Sequence, residues 1–319
     1  MLNKNPSASN DMLFHPDTLT QLKRLIGQHH CVQLTNTRLA YSHAFKKPFA
    51  QPLIQINHPL FKANLLLNGA QLITFTPKED TEWLWLSPFS DFSPQRAVRG
   101  GIPLCFPWFG RHPDNQQQPK HGIARISPWQ LASLDSNAQA VEISFTLDPL
   151  VQSQTSGYPP FKVELIYHLS KTIRIDLRFS PTQYCSLPIS YAFHTYFAIE
   201  DITKTSITGL ENRPFFNSAE QKTEPARLQP LTFNHEVDLV FNQVQSTQQV
   251  NANKACFLIS SNTPSCIVWN PGAQLAHNIN DIKSHYKHYV CLERGAVTAD
   301  QIPLSPSQLH TASMEISKM

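Results

Sequence analysis

The sequence predicts an all-β fold, an antiparallel β-sandwich with few short helices, on three observations. The first is strict alternation. In "VEISFTL" Val141, Ile143, Phe145 and Leu147 fall on one side, and Glu142, Ser144 and Thr146 on the other. "TIRIDLRFS" repeats it, with Ile173, Ile175, Leu177 and Phe179 set against Thr172, Arg174, Asp176, Arg178 and Ser180. An extended chain sends successive side chains to opposite faces, so both stretches read as strands with one wet face. The second is composition: 25 prolines and only 15% charged residues suit many short elements joined by proline turns. The third is the scarcity of long helical periodicity, which with repeated short strands points to a sandwich.

The elements follow in order. Residues 1–47 read as an extension carrying one short helix. "HPDTLTQLKRLIGQ" spaces Leu19, Leu22 and Ile26 on one face and offers Asp17 or Thr18 as N-cap. From residue 48 the period changes to two, so the sandwich domain spans 48–319. "LLLNGAQLITF" (65–75) and "KVELIYHL" (162–169) are further strand candidates, and "ASLDSNAQAV" supplies the turn before Val141.

Bulk properties narrow the classes. A net charge of +3, from 26 Lys+Arg against 23 Asp+Glu, argues against a nucleic-acid binder. The polar start "MLNKNPSASNDMLF" lacks the apolar run of a secretory signal. No apolar run of ~18 residues predicts a membrane span. The six cysteines (31, 105, 185, 256, 266 and 291) form no C-x-x-C pair. Reduced thiols in a cytoplasmic protein are the natural expectation. Phosphate-loop, dinucleotide and zinc-helix motifs are absent. His29, His30 and Cys31 have no partners at ligand spacing, so no metal is expected.

Three stretches could carry chemistry. In "SYAFHTYF" Tyr191, Phe193, Thr195 and Phe197 share a mostly aromatic face suited to a core. Ser190, Ala192, His194 and Tyr196 share the other, which could line a cleft. In isolation His194 reads more readily as a histidine on a solvated sheet face. In "HYVCLERG" Val290 and Leu292 face one way, and Tyr289, Cys291 and Glu293 the other. Glu293 would sit between a strand end and a glycine turn, where a solvated carboxylate is the simpler reading. In "RGGIPLCFPWFGRHPDNQQQPKHGIAR" (99–125), Gly100-Gly101 lets the chain bend close to a ligand. Pro103, Pro107, Trp108 and Phe109 would form a stiff apolar wall fit for a sugar ring. Arg99 and Arg125 offer planar forks for carboxylate or phosphate, with surface ion pairs as the simpler role.

Together, "VRGGIPLCFPWFG" (98–110), "HGIAR" (121–125), "FHTYFAIEDI" (193–202), "VDLVF" (237–241), "VWNPG" (268–272) and "YVCLERG" (289–295) resemble the aldose 1-epimerase (mutarotase) superfamily. The resemblance points to its hexose-6-phosphate mutarotase branch, the glucose-6-phosphate 1-epimerases. It implies a galactose-mutarotase-like β-supersandwich, with His194 and Glu293 as a catalytic pair brought together across the cleft. It also implies that Arg99, His121, Arg125 and Asp238 bind substrate: the arginines at phosphate or sugar oxygens, Asp238 at a hydroxyl. Lys120 stands where relatives can carry Gln, so the resemblance does not cover it; it is a candidate for an added phosphate contact. Residues 1–47 have no counterpart in that family.

Anomer exchange needs one proton taken from the C1 hydroxyl and one delivered to the ring oxygen, then the reverse after rotation about C1–C2. There is no redox step, so no cofactor is expected. Free Glu titrates near ~4.3 and His near ~6.5, which suits Glu293 as base and His194 as acid. The expectation is a cytoplasmic, monomeric isomerase acting on a small sugar phosphate, with no nucleic-acid or membrane partner. Two alternatives stand beside it: a mutarotase for unphosphorylated aldoses, and a non-catalytic sugar-phosphate binder of the same fold.

Overall fold

The computed structural model describes residues 16–41, 49–90, 92–93, 96–148, 158–185 and 187–319. The polar start at 1–14 and the boundary expected at 47/48 lie outside them. Three antiparallel sheets make the architecture. A four-stranded sheet runs Val32–Asn36, Pro52–His58, Phe61–Leu66, Gln71–Pro77. A nine-stranded sheet runs Leu231–Thr232, Ser206–Thr208, Thr247–Ala252, Ala255–Ser261, His310–Lys318, Ile173–Pro181, Phe161–Leu169, Val141–Thr146, Gln130–Ser136. An eight-stranded sheet runs Lys222–Glu224, Phe215–Asn217, Val237–Phe241, Ser265–Asn270, Tyr289–Ala296, Tyr191–Phe193, Leu104–Cys105, and Tyr196–Ala198 joins it beside Tyr289–Ala296.

One core holds the sheets together. Ile54, Leu65 and Phe75 of the first sheet, Ile143, Leu165 and Ile175 of the second, and Phe193, Leu239 and Leu292 of the third belong to a single buried cluster. The alternating stretches largely follow their pattern: Val141, Ile143 and Phe145 are buried and Glu142 is exposed, but Ser144, expected on the wet face, is buried against Ser133. Asp176 also departs from the pattern. Expected on the wet face, it is buried beneath Arg174 and His168, which both reach its carboxylate.

Several local expectations need correction. The stretch 65–75 is two strands, since a turn at Asn68–Ala70 separates Phe61–Leu66 from Gln71–Pro77. The extension contributes to the sandwich: Val32–Asn36 pairs with Pro52–His58, with Leu34 opposite Ile54. The helix Pro16–Ile26 exists, but Asp17 and Thr18 lie inside its first turn rather than at its cap. No described helix is long and apolar enough to cross a membrane. All six cysteines are free thiols.

Candidate active site

Strand pairing places the two central side chains. Tyr289–Ala296 runs antiparallel to Tyr191–Phe193, with Phe193 opposite Arg294, and to Tyr196–Ala198, with Tyr196 opposite Cys291. The register does not slip between the two pairings, so His194 falls opposite Glu293. Opposed residues share a face, and their side chains meet. His194 leaves the ladder here, and its N–H donates instead to the Pro103 carbonyl at 3.0 Å. His194 Nε2 lies 3.2 Å from Glu293 Oε1. The two are neighbours on one floor, not partners across a cleft. Glu293 is also not at a strand end, because its strand continues through Gly295 to Ala296. Gly295 is what permits this: a Cβ there would lie 2.0 Å from the Tyr191 carbonyl oxygen, forcing the histidine-bearing strand away.

The pair is almost closed off from water, with His194 6% and Glu293 1% exposed. His194 Nδ1 and Glu293 Oε2 are buried without a hydrogen-bond partner among the described residues. Buried polar atoms in folded proteins nearly always have partners, so two orphans side by side mark a place meant for something else. Burial pushes the His194 imidazole well below its usual range, helped by His121, Arg125 and Arg99. Burial pushes the Glu293 carboxyl well above its own, helped by the Asp238 charge. Both directions favour a neutral pair, with one proton held between Oε1 and Nε2. Tyr196 stacks flat on His194, centroids 4.7 Å apart and planes 7° from parallel, which fixes the imidazole plane.

A cleft of about 630 Å³ opens over this floor, and all seven residues singled out in the sequence line it: Arg99, Lys120, His121, Arg125, His194, Asp238 and Glu293. Arg99 is already engaged. Its Nε donates to Asp281 Oδ2 at 2.8 Å and its Nη1 to the Tyr196 hydroxyl at 3.3 Å. Arg125 Nη2 donates to the Lys120 carbonyl at 2.7 Å, while its Nε is buried without a partner. The Lys120 side chain is exposed at the rim. His121 adopts a left-handed backbone, φ 64°, and its Nδ1 accepts from the Gly110 N–H at 3.4 Å. Burial and the cations Arg125, Lys120 and Arg99 pull its pKa down to about 3, so it is neutral at pH 7. Accepting at Nδ1 puts the remaining proton on Nε2, which makes His121 a donor there. Asp238 lies opposite Trp269 in the neighbouring strand. Burial raises its carboxyl above the usual range, against the pull of Ser218 and Lys120.

The apolar wall differs from the one expected. Phe109 lines the cleft, but Trp108 is buried in the core and donates Nε1–H to the Pro119 carbonyl at 2.9 Å. Trp269 takes its place. It sits in "VWNPG", and its position gave no sign of which way it points. Gly100 and Gly101 do not line the cleft. Added Cβ atoms would lie 2.3 Å from the Trp85 oxygen and 2.2 Å from the Leu72 oxygen, so the glycines let backbones touch. Arg111, Ser218, Gln221 and Glu236 also line the cleft and went unnoticed in the sequence. Only Arg111, within the "WFGRH" run, carried a usable signal. Tyr196 was legible, since it shares the parity of His194.

An antiparallel supersandwich with a touching imidazole and carboxylate beneath an aromatic, cation-rimmed cleft defines the mutarotase-like class of protein. The aldose 1-epimerase family profile matches residues 52–317, and the chain belongs to that family, whose members are isomerases. The chain is 33% identical, over 83% of its length and 90% of the relative's, to an Escherichia coli K12 protein named "Putative glucose-6-phosphate 1-epimerase". It superposes on a Salmonella typhimurium crystal structure titled a "putative mutarotase" with TM-score 0.77 at 25% identity, covering 84% of this chain and 90% of that one. Galactose 1-epimerase from Lactobacillus acidophilus shares the fold at TM-score 0.66 and 13% identity, covering 90% and 98%.

Proposed function

We propose that this protein interconverts the α and β anomers of a hexose 6-phosphate, with Glu293 and His194 exchanging protons with the sugar. The observation that carries the reading is their contact, 3.2 Å, beside two orphaned polar atoms. The C1 hydroxyl and the ring oxygen hang from the same carbon. Groups serving both must therefore be neighbours, as these two are.

The chemistry balances without a proton from solvent. A shift of the shared proton from Oε1 to Nε2 gives carboxylate and imidazolium. Glu293 then takes the C1 hydroxyl proton as His194 gives its proton to the ring oxygen and the C1–O5 bond breaks. The open aldehyde rotates about C1–C2. Closure on the other face returns each proton. His121 Nε2–H and the Asp238 carboxyl supply a donor and an acceptor for ring hydroxyls, and Trp269 and Phe109 supply apolar surface.

The phosphate half of the reading rests on cations at the cleft. Arg125 presents a buried, unpartnered Nε, and Lys120 and Arg111 are exposed at its edge. Arg99 is partly neutralised by Asp281 and serves more to hold Tyr196. The name of the E. coli relative agrees with this substrate. The test is a magnetisation-transfer NMR panel of glucose 6-phosphate, galactose 6-phosphate and the free hexoses. Faster exchange of phosphorylated sugars is expected; equal acceleration of free hexoses would point to an unphosphorylated substrate. Tight binding with no acceleration would favour a binding protein.

A further inference from the structure

Glu293 has a neighbour that the proton chemistry does not use. Cys291 lies two residues before it on the same face of Tyr289–Ala296, opposite Tyr196 and Trp269 in the flanking strands. One donor atom each from His194, Cys291 and Glu293 all lie within 4.8 Å of one another, and all three residues are buried. A point equidistant from three atoms at that spacing is about 2.8 Å from each. Metal–ligand bonds to N, O and S are ~2.0–2.3 Å for zinc, so side-chain shifts of about 0.5–0.8 Å would close the set. The same two residues also keep His194 Nδ1 and Glu293 Oε2 buried without a hydrogen-bond partner among the described residues.

We infer that His194, Cys291 and Glu293 form a binding site for a thiophilic divalent cation of the zinc type, which occupies the proton-transferring pair and blocks it. Imidazole, thiolate and carboxylate are the donor set that such a borderline-soft ion prefers, and three protein ligands leave a fourth position open. Charge supports it: one thiolate and one carboxylate balance a divalent ion. On binding the Cys291 S–H bond breaks and the proton shared by Glu293 and His194 is given up; sulfur, carboxylate and imidazole bond the metal, and both protons leave to solvent. Arg99 and Arg125 oppose the cation, but Asp281 pairs with Arg99, and Asp238, which lines the cleft, adds negative charge beside Glu293.

The binding half is independent of the proposed reaction; the inhibition half rests on His194 and Glu293 being its acid and base. The experiment titrates the purified protein with Co²⁺ and with Zn²⁺, reading thiolate-to-cobalt charge-transfer absorption and hexose 6-phosphate anomer exchange on the same samples. Expected are one ion per chain, charge-transfer absorption, and loss of exchange in step with zinc occupancy. Cys291→Ser removes the absorption and weakens zinc inhibition at least about tenfold, while metal-free exchange stays near wild type. Cys291→Ala gives the same result should serine disturb packing. No absorption, absorption that survives Cys291→Ser, or equal zinc inhibition of both variants and wild type overturns the site. Absorption with undiminished exchange keeps the metal site and instead overturns the acid–base reading.

Discussion

Two strands of this molecule handle charge differently, although each buries some: in Ile173–Pro181 the one buried charge, Asp176, is paired with Arg174 and His168. Ile173–Pro181 buries Ile173, Ile175, Leu177 and Phe179 and turns Arg174 and Arg178 outward, where Arg178 meets Glu164 at 3.4 Å on an exposed surface. Tyr289–Ala296 buries every residue, Glu293 and Arg294 included. Arg294 is a fully enclosed cation, yet it is satisfied. It donates to Thr263 Oγ1 at 3.3 Å and to the Gln245 carbonyl at 3.1 Å, and also to Gln248 and the Thr263 carbonyl. Glu293, the next residue back on the opposite face, keeps one oxygen without a partner. Surface charge is cheap, and buried charge needs hydrogen bonds. A buried ionisable group with bonds missing points to chemistry.

That contrast ranks the consequences of mutation. The largest effect falls on the pair. His194→Asn and Glu293→Gln should each slow anomer exchange by about 10²–10⁴-fold, with thermal unfolding little changed. The double variant should be scarcely slower than either single one, because the two act as a unit; multiplicative losses would separate their roles. Next comes Gly295→Ala, where the new methyl meets the Tyr191 carbonyl. Overpacking of this kind costs about 1–3 kcal/mol, and denaturant unfolding with exchange measured alongside should show both stability and rate falling. Unaltered activity would mean the histidine strand tolerates displacement.

Arg125→Ala should come third, raising KM about 10–100-fold for a hexose 6-phosphate, as expected for lost hydrogen bonds to a charged group, and far less for free glucose. An equal rise for both would remove Arg125 from phosphate recognition. Arg178→Ala should do least. Exposed ion pairs contribute about 0–1 kcal/mol, so stability should barely move and exchange should be unchanged. A large loss there would collapse the distinction between the two strands.

The same contrast explains what the sequence could reveal. Alternation is visible where one face is wet, so 141–147 and 172–180 read cleanly as strands. The site strand is buried on both faces and carries no such rhythm. Its glutamate looked like a solvated strand end until the family resemblance gave it a role. The hairpin at 65–75 was hidden because Leu65, Leu66, Leu67, Leu72 and Ile73 are all buried, and the apolar run masked the Asn68-Gly69 turn signal. Trp108 and Trp269 show the limit for the wall: both are aromatic, and only packing decides which one meets the cleft. The parity of Tyr196 with His194 was readable, but the flat stack between them is a product of three-dimensional packing. Cys291 was placed on the face of Glu293 by parity alone, without any hint that the histidine would close the triangle.

The account turns on His194 and Glu293 sharing one proton as a working unit. The direct measurement is the pH dependence of kcat/KM for hexose 6-phosphate exchange. In the proposed mechanism activity requires one proton on the pair. Burial lowers the imidazole and raises the carboxyl, so the rate should fall on the acid side well below pH 6.5 and on the alkaline side well above pH 4.5, leaving a plateau between. Glu293→Gln should remove that bell from whatever activity remains. An acid limb at or above pH 6.5, or a bell that survives the glutamine substitution, would contradict the shared-proton pair.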